Sequence, residues 1–133
     1  MCENKCENRF YVCKHCGNIV GLVNDAGVPL VCCGEKMALL EPGTVDASKE
    51  KHVPVVSVEN GVVKVTIGSV AHPMSEEHNI MWVYLQTCRG GQRKCLGQGK
   101  EPTVSFALLD EKPVAVYAYC NLHGLWMTEI KGE

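Results

Sequence analysis

Cys120 and His123 stand three residues apart in Cys120-Asn121-Leu122-His123-Gly124, which puts a thiolate and an imidazole on one short stretch of chain. Upstream are His52, in Glu50-Lys51-His52-Val53-Pro54, and the pair His72 and His78, in His72-Pro73-Met74-Ser75-Glu76-Glu77-His78. Together these side chains offer one metal ion four imidazoles and one sulfur. Imidazole suits iron, copper, nickel and zinc, and a single thiolate leans the choice towards iron or copper. Zinc has little need of five protein ligands. An octahedral ion held by five side chains keeps one position for a small molecule. A thiolate also donates electron density through the metal to whatever binds opposite it. Such a site suits one-electron reduction of a small oxygen species. Lys51 and Glu50 directly precede the first candidate ligand. Either they are an ordinary solvated pair, or Lys51 is a local cation that draws in a small anion.

A second set of ligands lies nearer the N-terminus. Cys13-Lys14-His15-Cys16-Gly17-Asn18 is a CxxC knuckle, and Cys32-Cys33-Gly34 adds two more thiols. Four sulfurs in a tetrahedral set take zinc or iron, and the spacing leaves both open. Neighbouring side chains of an extended chain point opposite ways, so the backbone must bend at Cys32-Cys33 for both to reach one ion. His15 reads as solvent-facing rather than as a ligand. Cys2 and Cys6, in the polar N-terminal tail, could serve as extra ligands or as a disulfide, and read as neither. Cys88 and Cys95 flank Arg89-Gly90-Gly91-Gln92-Arg93-Lys94, which reads as a hairpin loop, and they are expected as free thiols.

The elements that must hold these residues read as β throughout. Ile19 to Val23 and Val28 to Val31 are short strand signals around the turn Asn24-Asp25-Ala26-Gly27. A segment as short as residues 1–40 cannot bury enough apolar surface to fold alone, which points to a metal as its staple. Glu41-Pro42-Gly43-Thr44 reads as a break. Beyond it, Val53 to Val58 and Val62 to Ile67 flank Asn60-Gly61, a strong hairpin signal. Ile80 to Gln86, Thr103 to Leu109, Val114 to Tyr119 and Trp126 to Ile130 are further strand candidates, rich in β-branched and aromatic residues. No stretch carries a long helical period. Short strands in this number predict an antiparallel, immunoglobulin-like β-sandwich. Loops at one end of a sandwich converge, so His52, His72, His78, Cys120 and His123 can meet there.

Bulk composition sets outer limits. The chain has 133 residues, 46% of them hydrophobic, nine cysteines and a formal net charge of −2. That charge supplies no basic field for nucleic acid. No apolar run approaches the roughly 20 residues of a membrane helix. The polar N-terminus lacks the apolar core of a signal peptide, so a cytoplasmic location is expected, where clustered cysteines bind metal more often than they form disulfides.

Glu50-Lys51-His52-Val53-Pro54, His72-Pro73 with His78, and Cys120-Asn121-Leu122-His123-Gly124-Leu125-Trp126 resemble the iron-site motifs of the superoxide reductases. Cys13-x-x-Cys16 with Cys32-Cys33 resembles a desulforedoxin-like module. Both in one chain resemble the desulfoferrodoxins, the two-iron members of that family, from about residue 9 to residue 130. The resemblance implies an all-β chain with a rubredoxin-type iron module over residues 1–40 and a neelaredoxin-like catalytic sandwich over residues 41–133. It implies two irons per chain. One is held by Cys13, Cys16, Cys32 and Cys33. The other has His52, His72, His78 and His123 around its equator and Cys120 as axial ligand. Lys51 would attract superoxide and help protonate it, and Glu50 would close the sixth position in the resting ferric state. The implied reaction takes superoxide, one electron and two protons to hydrogen peroxide, with rubredoxin or a similar small carrier as donor and a homodimer as the assembly. The tail with Cys2 and Cys6 and the Cys88–Cys95 segment have no counterpart in that resemblance.

Overall fold

The computed structural model describes residues 9–43, 47 and 49–131, and the chain divides into two compact units between Glu41 and Pro42. No helix among the described residues is long and apolar enough to cross a membrane.

The N-terminal unit is built on β1 (Arg9–Val12), which pairs antiparallel with β2 (Ile19–Leu22) on one side and with β5 (Ala38–Leu39) on the other. A two-stranded ribbon, β3 (Val31–Cys32) and β4 (Glu35–Lys36), completes it. Phe10 and Cys13 are its buried apolar side chains. So small a core needs a further staple. The expected strand over Val28 to Val31 is reduced to Val31–Cys32. Pro29 interrupts it, having no N–H to give to a ladder. The ribbon turns through Cys33 at φ 53° and Gly34 at φ 76°. Two consecutive left-handed residues make the hairpin turn whose twist matches its strands. This is the bend that the adjacent cysteines require. It places a non-glycine residue in a sparsely populated region, which costs of order 1–3 kcal/mol.

The second unit starts with a single helical turn, α1 (Lys49–His52). It continues with β6 (Pro54–Glu59), β7 (Val62–Ile67), β8 (Ile80–Thr87), β9 (Gly90–Cys95), β10 (Thr103–Ala107), β11 (Pro113–Cys120) and β12 (Gly124–Glu129). Two antiparallel sheets result, ordered β10-β7-β6 and β12-β11-β8-β9. The chain switches sheet between β7 and β8, β9 and β10, and β10 and β11, the Greek-key habit of immunoglobulin-like sandwiches. The hairpin at Asn60-Gly61 forms as expected, with Glu59 opposite Val62. The core gathers the inward residues of both sheets: Val63, Val65 and Ile67 from β7, Val83 and Leu85 from β8, Phe106 from β10, and Val116, Ala118 and Cys120 from β11. Fully burying a large apolar side chain contributes about 1.5–3 kcal/mol, so β11 is held firmly up to its last residue.

One expectation is corrected here. Residues 90–95 are not a loop but strand β9, paired with β8 from Thr87 opposite Gly90 to Trp82 opposite Cys95. As an edge strand with mostly exposed side chains, β9 needs backbone pairing rather than an apolar pattern. The same pairing corrects the thiols. Cys95 is free and exposed. Cys88, expected to be free as well, is disulfide-bonded. Cys95 lies at the far end of β9 from the turn that holds Cys88, so the two do not bond to each other. Cys2 and Cys6 lie outside the described residues.

Candidate metal centres

In the N-terminal unit the sulfurs of Cys13, Cys16, Cys32 and Cys33 all lie within 4.8 Å of one another. The knuckle is closed by backbone bonds: Gly17 N–H donates to Cys13 O at 2.8 Å, and Cys13 N–H donates to Asn18 O at 2.8 Å. Backbone N–H groups from the knuckle, that of Cys16 foremost, lower the Cys13 thiol to about 6. Hydrogen bonds that the Cys33 thiol donates to the other sulfurs, Cys13 foremost, push it up to about 12. The Cys13 proton therefore leaves easily and that of Cys33 does not, because the Cys33 thiol is held by its bonds to the neighbouring sulfurs, with burial and their charge adding to the effect. A cation among them takes the place of the proton, and the donor set fits iron or zinc. His15 is exposed and its Nε2 lies 2.8 Å from Glu35 Oε1, as a surface residue and not a ligand.

The second centre forms at one end of the sandwich, where the ends of several strands converge. His52 closes α1, just before β6. His72 and His78 lie in the connection from β7 to β8. Cys120 is the last residue of β11, and His123 lies in the turn to β12. The pairing of β11 with β8 shifts register between Tyr119 and Cys120. An irregularity of that kind re-aims a side chain at a strand end. His52, His72, His78 and Cys120 each offer a ligand atom within 4.8 Å of the others. His123 Nδ1 joins them, 3.1 Å from His52 Nε2 and 3.9 Å from Cys120 Sγ.

The four imidazoles form a closed ring. Neighbouring ring centres are 4.7 Å apart for His52 and His72, 4.6 Å for His72 and His78, 5.0 Å for His78 and His123, and 4.9 Å for His123 and His52. The diagonal from His52 to His78 is longer, at 6.1 Å. Neighbouring planes stand between 75° and 90° to one another, in a propeller-like set. His72 Nδ1 donates to Pro73 O at 2.6 Å, which fixes the tautomer and leaves Nε2 as the electron-pair donor. The Nε2 atoms of His72 and His78 are buried and have no hydrogen-bond partner. A buried polar atom without a partner costs about 1–3 kcal/mol, and a metal ion is the partner that relieves both. Burial lowers His72 to about 4, with the neighbouring imidazoles adding to the effect, so it is neutral at pH 7 as a ligand must be. Burial pushes the Cys120 thiol up, opposed by the backbone N–H groups of Leu122 and His123. Cys120 is fully buried, and its thiolate form calls for a cation alongside. The five side chains therefore fit a transition metal.

Glu50 and Lys51 are exposed on α1, next to buried His52. Two supporting features were not legible in the spacing. Trp126 stacks on His52 at 5.0 Å and donates from Nε1 to His123 O at 3.1 Å, bracing two candidate ligands. Gly68–Val70 clasps α1: Val70 N–H donates to Glu50 O at 2.9 Å and Gly68 N–H donates to Val53 O at 3.1 Å. The stacking of Trp126 on His52 and the clasp on α1 both rest on contacts distant in sequence.

The family pattern described as "Desulfoferrodoxin" matches residues 44–129, and that described as "Desulfoferrodoxin, N-terminal domain" matches residues 5–40. A desulfoferrodoxin of Nitratidesulfovibrio vulgaris is 49% identical over 120 residues, covering 90% of this chain and 94% of that one. The crystal structure of the superoxide reductase from Treponema pallidum superposes with a TM-score of 0.78 at 44% identity, covering 92% of this chain and 99% of that one. The one-iron superoxide reductase from Giardia intestinalis superposes with a TM-score of 0.55 at 29% identity, covering 63% of this chain and all of that one.

Proposed function

We propose that this chain, which belongs to the desulfoferrodoxin family, is a superoxide reductase that removes superoxide without evolving oxygen. The observation that carries the proposal is the ring of four imidazoles beside a buried thiol, with two imidazole nitrogens left unpartnered. His52, His72, His78, His123 and Cys120 would hold one iron, and Cys13, Cys16, Cys32 and Cys33 the other. Iron held in the first site would supply the electron that superoxide takes up. Superoxide, one electron and two protons give one hydrogen peroxide.

The remaining work falls to the protein. Lys51 sits on the exposed side of the turn whose last residue is His52, so its charge draws an anion towards a chain that is negative overall. The same ammonium orders water for delivery of protons. Glu50 occupies the same exposed turn, and its carboxylate would compete with superoxide for a metal held by the five side chains. Burial of Cys120 keeps solvent from its sulfur and concentrates electron donation on the metal. Residues 1–40 act as an electron-transfer module and residues 41–133 as the catalytic domain. The electron comes from rubredoxin or a carrier like it, and the protein works as a cytoplasmic homodimer in defence against oxidative stress.

Pulse radiolysis of the reduced protein tests the reaction. One peroxide per superoxide with no oxygen is expected. Half a peroxide and half an oxygen per superoxide would mean dismutation, and would refute the proposal.

A further inference from the structure

We infer that Asn121 is the positioning residue for His78, fastening the loop that carries this ligand to the turn that carries Cys120 and His123. The inference rests on the five-ligand reading of the catalytic centre. Asn121 Nδ2 donates to Glu77 O at 2.9 Å, and Asn79 N–H donates to Asn121 Oδ1 at 2.9 Å. One planar amide thus grips the backbone immediately before and immediately after His78. The Asn121 N–H adds a third bond, to Asn79 O at 3.2 Å.

Apart from Gly99 N–H, which donates to Met74 O at 3.1 Å at the far side of the loop, the other bonds around His78 are local. His78 N–H donates to Ser75 Oγ at 3.1 Å, Ser75 N–H donates to His78 O at 2.9 Å, and Asn79 Nδ2 donates to Ser75 O at 2.8 Å. Bonds spanning a few residues shape a loop but do not place it. The Asn121 bonds span 42 and 44 residues and do place it. With the backbone fixed on both sides, only the two side-chain torsions of His78 remain to set its ring. Its Nε2 is already aimed into the centre, buried and without a partner. A ligand held in advance loses less entropy on binding metal. The role asks for a donor and an acceptor in one plane at one reach. Aspartate lacks the donor, and alanine lacks both.

The test is the affinity of the catalytic site for cobalt(II), measured by chelator competition on the full chain with its N-terminal site filled. Asn121→Ala should weaken binding about tenfold, the low end of the loss seen when support around a metal ligand is removed. Asn121→Asp should fall between. In a cycle with His78→Ala, the Asn121 substitution should cost nothing further, because its effect passes through the ligand already lost. Unchanged affinity in Asn121→Ala would overturn the inference, and so would an equal loss in the presence and absence of His78. Should near-ultraviolet dichroism show that Asn121→Ala does not fold, Asn121→Asp carries the same cycle. Superoxide is not in the assay, so its outcome is independent of the catalytic reading.

Discussion

Replacing Gly68 by alanine should disturb the catalytic centre from a position that touches no ligand. Gly68 follows β7 at φ +87°, a region that costs an L-residue roughly 1–2 kcal/mol. An added Cβ would lie 2.4 Å from Val70 O, 2.7 Å from Lys51 O and 2.8 Å from Lys51 C. All three are backbone atoms and cannot swing aside. Ordinary contact begins at 3.4 Å, so the α1 backbone must retreat by about 0.7 Å at Lys51. That movement strains the bonds from Gly68 N–H to Val53 O and from Val70 N–H to Glu50 O. Each is worth about 0.5–1.5 kcal/mol net. The total comes to about 2–5 kcal/mol, concentrated on the turn that carries Glu50, Lys51 and His52. If half of it falls on metal binding, affinity at the catalytic site drops about fivefold or more. Elemental analysis and chelator competition measure that loss, and pulse radiolysis measures the rate with superoxide and its salt dependence. The N-terminal site provides an internal control and should stay filled. Ser69→Ala, which removes only a 3.3 Å bond to Glu50 O, should be nearly silent. Full catalytic loading in Gly68→Ala, with an unaltered rate and salt slope, would refute the claim that this clasp positions α1.

Three other substitutions separate the roles of the two centres. Cys120→Ser should abolish superoxide reduction, beyond the roughly 10–100-fold that a supporting residue is worth, while leaving the N-terminal iron in place; turnover at the original rate would remove Cys120 from the ligand set. Lys51→Ala should slow the reaction about tenfold and flatten its dependence on ionic strength, since steering by a charge is screened by salt; stopped-flow or pulse-radiolysis rates at several salt concentrations check this. Cys13→Ser should empty the N-terminal site and spare the direct reaction of the reduced catalytic centre with superoxide, and loss of that reaction would mean that the two sites do not work separately.

The fold was legible wherever a strand has one buried face. β7 and the hairpin at Asn60-Gly61 could be read directly, because alternation and turn chemistry agree there. β9 could not, since an edge strand carrying Gly90, Gly91, Arg93 and Lys94 is held by its partner's backbone rather than by its own pattern. The turn α1 is too short to carry a helical period. The candidate ligands were legible because histidine and cysteine are chemically distinctive and their motifs match a family. Their supports were not: Asn121, Gly68 and Trp126 act on residues far away in sequence, and spacing carries no record of such contacts. Cys95 is a free thiol as expected, whereas Cys88 was misread, because its disulfide is not closed across the Cys88–Cys95 segment and local spacing carries no record of it.

The most direct test of the account is an azide titration of the reduced and the oxidised protein, followed by visible and electron paramagnetic resonance spectra alongside metal analysis. Two irons per chain are predicted, with azide perturbing the iron of the histidine centre and leaving the sulfur-only iron untouched. A colourless protein holding zinc in both sites, or a histidine-site iron whose spectrum ignores azide in both oxidation states, would contradict it.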